Sequence, residues 1–160
     1  MLSQFVIKCL DEFDQGTGDI QFSAVRYFEI ASENAKEEED KKALNVLSGA
    51  LSMGYSDEND NYVPQAVMAD GRRTFAMEDL DDSGIETLKE TLPHFTSAWV
   101  KAQLSDIIWV RTCEQPFAQT AVEENLRLFN ESFDPNEWVV CYHAVRRAFQ
   151  IALKPKIKNN

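Results

Sequence analysis

The sequence predicts an all-α protein: an irregular bundle of about seven helices, packed as stacked helical hairpins, with one long loop. Three observations carry this. Apolar residues recur at i, i+3, i+4 spacing in stretch after stretch, and cap or stop residues separate the stretches. No segment alternates apolar and polar residues with the β-branched enrichment that a sheet needs. No internal repeat is evident, which favours an irregular bundle over a regular solenoid.

Leu2, Phe5, Val6, Cys9, Leu10 and Phe13 set out the first helix, which Gly16 and Gly18 end. Asp19 is placed to cap the second, with Phe22, Val25, Phe28 and Ala31 inward. The acidic run at 37–40 reads as a solvated first turn facing the positive end of a helix dipole. The third helix follows, with Ala43, Leu44, Leu47, Ala50 and Leu51 inward and Gly54 as its stop. Residues 55–75 lose periodicity and form the long loop, whose Val63, Val67 and Met68 suit a segment lying across the helices. Ser83 and Glu86 have capping-box spacing, opening a helix with Ile85, Leu88 and Leu92 inward that Pro93 closes.

Residues 96–111 are the centre of the predicted bundle. Thr96 is the expected cap, and Phe95 with Val100 has the spacing of a hydrophobic staple. Val100, Leu104, Ile107 and Ile108 share one face, while Trp99, Ala102 and Trp109 line the opposite one around Asp106. A helix apolar on two faces belongs inside a bundle. Pro116 then marks a first turn, with Ala118, Ala121, Val122, Leu126 and Phe129 as the next inner stripe. Asp134, Pro135 and Glu137 start a last helix carrying Trp138, Tyr142, Val145, Phe149 and Ala152 on one face. Residues 1–153 are expected to form a single helical domain, and 154–160 a basic tail or linker.

The chain has 160 residues, enough for a core that folds alone. With 16 Lys and Arg against 27 Asp and Glu, the formal charge is −11, which argues against direct binding to phosphate backbones. Cys9, Cys113 and Cys141 are odd in number and far apart, as expected of buried thiols in a reducing compartment. No secretory signal is readable at the start, where Lys8, Asp11 and Glu12 interrupt the apolar residues, and no run is long enough to span a membrane. The expected setting is cytoplasmic.

One segment imitates a calcium loop: Asp79, Asp81, Ser83, Gly84 and Glu90 fall at ligand and turn positions. Glu86 occupies the position that is normally apolar, and the capping box accounts for the same residues without a metal. The acidic cluster at 57–61 lacks both the Gly and the final Glu of such a loop, so a solvated loop is the better account. Neither His94 nor His143 has a chelating partner at helical spacing, so zinc is not expected. A Cys141–His143 pair would sit on different helix faces, and neither a Gly-rich phosphate loop nor a nucleophile elbow is present. No cofactor is expected.

Asp106 is the sharper feature. A carboxylate on an aromatic face is costly unless paired, and Arg72, Arg73, Arg111, Arg146 and Arg147 are candidate partners. The favoured reading is a structural ion pair in which Asp106 holds the Gly71-Arg72-Arg73 turn, with Trp109 beside it in the core.

Two patches, Asp70-Gly71-Arg72-Arg73-Thr74-Phe75-Ala76-Met77-Glu78-Asp79-Leu80 and Lys101-Ala102-Gln103-Leu104-Ser105-Asp106-Ile107-Ile108-Trp109-Val110-Arg111, the second continuing through 118–128, carry a family likeness. The chain resembles the helical N-terminal domain of a bacterial family of unknown function whose longer members carry a C-terminal HEPN-like domain. The resemblance covers the second two thirds of the chain and rests on a Gly-Arg-Arg turn and a helix ending in Asp, two apolar residues and Trp. Lys101 and Gln103 stand where the family pattern has Arg, so no role of Arg transfers there. The HEPN ribonuclease motif is an Arg followed a few residues later by His, and neither His94 nor His143 has that Arg. The resemblance implies the domain without the nuclease.

The expected function is therefore a non-catalytic interaction or regulatory domain, not an enzyme by itself. Its partner would be a protein, a further domain of the same polypeptide, or a second copy. The alternatives are a stand-alone acidic mimic of nucleic acid and, behind it, a metal-dependent or RNA-directed enzyme component.

Overall fold

The structure, a computed structural model, describes residues 1–16, 21–52, 80–131, 149, 151 and 152, with backbone alone at 21–23 and 131. Every regular element among them is helical, so the fold is all-α. Six α-helices are described where about seven are expected: α1 (Gln4–Gly16), α2 (Gln21–Asn34), α3 (Glu38–Ser52), α4 (Asp82–Thr91), α5 (Ala98–Thr112) and α6 (Gln115–Glu131). Of the expected last helix only 149, 151 and 152 are described, and all three are helical. The long loop, the stop at Gly54, the Asp19 cap and the basic tail lie outside the described residues. Among those residues no helix is long and apolar enough to cross a membrane. The chain divides into two compact units, Met1–Ser97 and Ala98–Asn160.

In the first unit, α2 and α3 form a hairpin across a three-residue connection. Its seam is apolar, with Val25 and Phe28 of α2 and Leu44, Leu47, Ala50 and Leu51 of α3 buried. Polar bonds cross it as well: the buried Ser48 hydroxyl donates to the Val25 carbonyl at 2.9 Å, and the Ser32 hydroxyl to the Lys41 carbonyl at 3.2 Å. Such a bond is worth about 1 kcal/mol net, and more if one partner is left without the other. Phe13 of α1 closes the hairpin. Its ring lies 4.9 Å from Phe28, 5.4 Å from Tyr27 and 6.0 Å from Phe95, all tilted or edge-on. These are the geometries aromatic quadrupoles favour, each adding about 0.5–1.5 kcal/mol beyond burial. Phe5, expected inward, is instead exposed at the start of α1. The acidic run also divides: Glu38 and Glu39 are solvated in the first turn of α3, but Asp40 is buried.

Helix α4 corrects the expected cap. It begins at Asp82, and its cap is Asp81, whose Oδ1 accepts from the Gly84 amide at 2.7 Å. Ser83 lies inside the first turn. Leu80 and Ile85 then occupy the two staple positions, and both are buried. A Cβ at Gly84 would come within 2.7 Å of Leu80 Cδ1, so this turn is packed closely under the Leu80 side chain. A short 3-10 turn, Leu92–His94, contains Pro93 and ends the helix.

The start of α5 is corrected as well. The helix begins at Ala98, which leaves Ser97 in the cap position. Thr96 is used elsewhere: its amide donates to Asp14 Oδ1 at 2.6 Å, and its hydroxyl to the same carboxylate at 3.0 Å. Phe95 belongs to the aromatic group of the first unit.

In the second unit α5 and α6 form a hairpin joined by Cys113 and Glu114. Val100, Leu104, Ile107 and Ile108 are buried on one side of α5, and Ala102 and Trp109 on the other. Pro116 falls in the first turn of α6, where its missing N–H costs nothing. Ala118 and Ala121 pack with Trp109 and Ile151, and Val122 is partly buried against them. Leu126 and Phe129, expected on the same inner stripe, are 40 % and 39 % exposed. In the last segment Ile151 is buried, while Phe149, expected inward, is 61 % exposed.

Candidate functional site

Asp106 and Trp109 sit one turn apart on α5, and both are buried; Asp106 is 5 % exposed. Arg111 is half-buried in the last turn of the same helix, where its charge suits the negative end of the dipole. Helix α5 thus carries three of the expected site residues. Arg72 and Arg73 lie outside the described residues, as do Asp79, Trp138, Cys141 and His143.

The turn after α5 has a distinct backbone. Cys113 adopts φ 58°, the left-handed conformation normally left to glycine, and its amide bonds the Trp109 carbonyl at 2.7 Å. That single bond closes the helix. Thr112 completes the turn: its hydroxyl donates to the Ile108 carbonyl at 2.8 Å and accepts from the Glu114 amide at 3.2 Å. Glu124 receives Lys101 Nζ at 3.4 Å, tying α6 to α5, and within α6 it meets Arg127 Nε at 3.2 Å.

Beside this turn lies an open groove of about 500 Å³. Trp109, Pro116, Ala118, Val122 and Ile151 line it, with Gln119 and Glu123 on the polar side. Those two side chains are bonded to each other at 2.9 Å. Such a lining suits an apolar side chain rather than a reacting polar group. Beyond it, Val122, Leu126 and Phe129 follow at i, i+4, i+7, so one face of α6 continues the apolar surface for about 10 Å.

The remaining chemistry-bearing groups are arranged for structure. Burial raises the Cys9 thiol above its ordinary 9.0, and the carboxylates of Glu12 and Asp40 raise it further. It stays protonated at neutral pH and is a poor nucleophile. Burial also raises Tyr27, with the nearby Cys9 and a hydrogen bond to Glu12 adding to the effect. The calcium-loop pattern folds differently from a metal loop: Asp82 onward is helical, Asp81 caps that helix, and Glu90 meets the Met1 ammonium at 3.3 Å. Among the described residues no group of three His, Cys, Asp or Glu could hold a metal ion.

A family model described as a domain of unknown function (DUF7380) matches residues 20–160. The chain belongs to the DUF7380 family. No curated protein and no solved structure matches it. The DUF7380 match begins after α1, although α1 supplies Phe13 and Asp14 to the first unit. Nothing in the sequence signals the Asp14–Thr96 contact, because the two residues stand 82 positions apart.

Proposed function

We infer that this DUF7380 domain is a non-catalytic helical interaction or regulatory domain of a larger bacterial protein, working in the cytoplasm. One observation carries the reading. Val122, Leu126 and Phe129 form a stripe on α6 that continues from the groove beside Trp109, and its last two residues stand well in solvent. Single exposed apolar residues need no explanation, but a row of them running on from a groove marks a binding face. The sequence resemblance supports a further HEPN-like domain in the same polypeptide as partner.

The mimic of nucleic acid draws less support. Among the described residues acids are interleaved with bases in short-range pairs: Lys8–Glu12, Arg26–Glu29, Lys41–Glu38 and Lys89–Glu86. A mimic needs carboxylates in uninterrupted rows.

The test compares the natural full-length protein with its Leu126→Asp, Phe129→Asp double variant. Both side chains are partly in solvent, so helicity by circular dichroism should persist. Sedimentation and affinity purification should show a partner or self-association that the variant loses. Identical complexes, or none in either protein, would reject the α6 face.

A further inference from the structure

Residues 92–97, through which the chain leaves the first unit for α5, meet α1 on two sides. On the inner side Phe95 is buried edge-on to Phe13 at 6.0 Å and to Phe28 at 6.2 Å. On the outer side Asp14 accepts both the amide and the hydroxyl of Thr96. One turn back along α1, Asp11 Oδ1 lies 3.6 Å from His94 Nδ1. The Met1 ammonium meets Glu90 just before this segment. The outer bonds are open to water, so each is individually weak and readily exchanged. The α2–α3 hairpin, by contrast, has its own buried seam, which α1 touches through Phe13 on Phe28, and the Ser48–Val25 bond, which joins α2 to α3 directly.

We propose that α1 is a clasp: a locally opening element that fixes residues 92–97 and can release them while the α2–α3 hairpin stays folded. Opening gives up the Phe13 ring contacts, the one on Phe28 included, and the Asp14–Thr96 bonds, but not the contacts that α2 and α3 make with each other. Local opening of such a unit is less costly than global unfolding. The clasp is polar where it is exposed, so added negative charge at Thr96 would meet the Asp14 carboxylate directly and drive it open. The control point is thus the Thr96 hydroxyl.

Amide hydrogen exchange read by mass spectrometry on the full chain tests this, with Asp14→Ala and Thr96→Glu as variants. In both, the amides of residues 95–97 should exchange about tenfold faster or more, as loss of charge-assisted bonds implies. The amides of α2 and α3 should keep their wild-type rates. Unchanged exchange at 95–97 in either variant would overturn the clasp. A parallel rise through α2 and α3 would overturn it too, because α1 and the hairpin would then open as one.

Discussion

In the first unit the large aromatic side chains close on one another, whereas in the second several of the largest apolar groups remain in solvent. Phe13, Tyr27, Phe28 and Phe95 form a network of ring contacts drawn from α1, α2 and the segment before α5. Phe5 and Ile30 are exposed there, but on separate helices. In the second unit Leu126 and Phe129 share one face of α6, and the turn beside them carries the left-handed Cys113. The difference separates two uses of apolar residues. The first unit uses them for cohesion, and the second leaves a surface on which another chain can be cohesive.

If that contrast is right, truncation should be costly in one unit and nearly free in the other. Phe13→Ala removes a ring with three aromatic neighbours and should cost about 3–5 kcal/mol by chemical denaturation. Phe129→Ser should stay within about 0.5 kcal/mol. Equal losses would mean that α6 is covered within the chain, and the binding face would fall with that result.

Asp106→Asn comes next, at about 1–3 kcal/mol, because the side chain is buried and a buried polar group that loses its match is costly. A loss of partner binding without a loss of stability would turn Asp106 from a structural residue into a functional one.

Much of the fold was legible because its signals are local. Apolar spacing, Pro93, Pro116 and Gly16 are read within a turn or two of chain, and six helices fall close to their expected places. The misreadings share a cause. Periodicity says which face of α6 is apolar, not whether anything covers it, so Leu126 and Phe129 fit an inward stripe and yet stand outward. At α4 two cap residues, Asp81 and Ser83, stand two positions apart; burial of Leu80 and Ile85 accompanies the earlier one. Thr96 looked like a cap because caps are local, but its partner is Asp14 at the end of α1. Of the candidate site, the two-faced burial of α5 follows from its residue pattern. The groove does not, since it depends on how Ile151 meets α6.

The turn between α5 and α6 gives a smaller test of the same contrast. Cys113→Gly should stabilise the protein by about 1 kcal/mol or less, since a left-handed conformation costs a side chain roughly 1–2 kcal/mol and glycine returns part of that as entropy. A rise in melting temperature with partner binding unchanged marks the strain as incidental to the α6 face. A rise bought with weaker binding places the turn in the binding surface.

The smallest effect concerns pH and belongs to the first unit. Cys9 and Tyr27 both have folded-state pKa values raised above 9.0 and 10.0, chiefly by burial. Between the unfolded and folded values the unfolded chain holds fewer protons, so stability falls as pH rises. The contribution is therefore whole below pH 9 and is lost as pH climbs through the folded values. Cys9→Ala removes one of the two groups and should flatten the onset of alkaline destabilisation, leaving the later Tyr27 portion. Urea midpoints measured from pH 7 to 10.5 read this directly. If the alkaline limb is unchanged in Cys9→Ala, the thiol is not desolvated in the folded protein, and the tight packing assigned to α1 against α2 and α3 is wrong at that position.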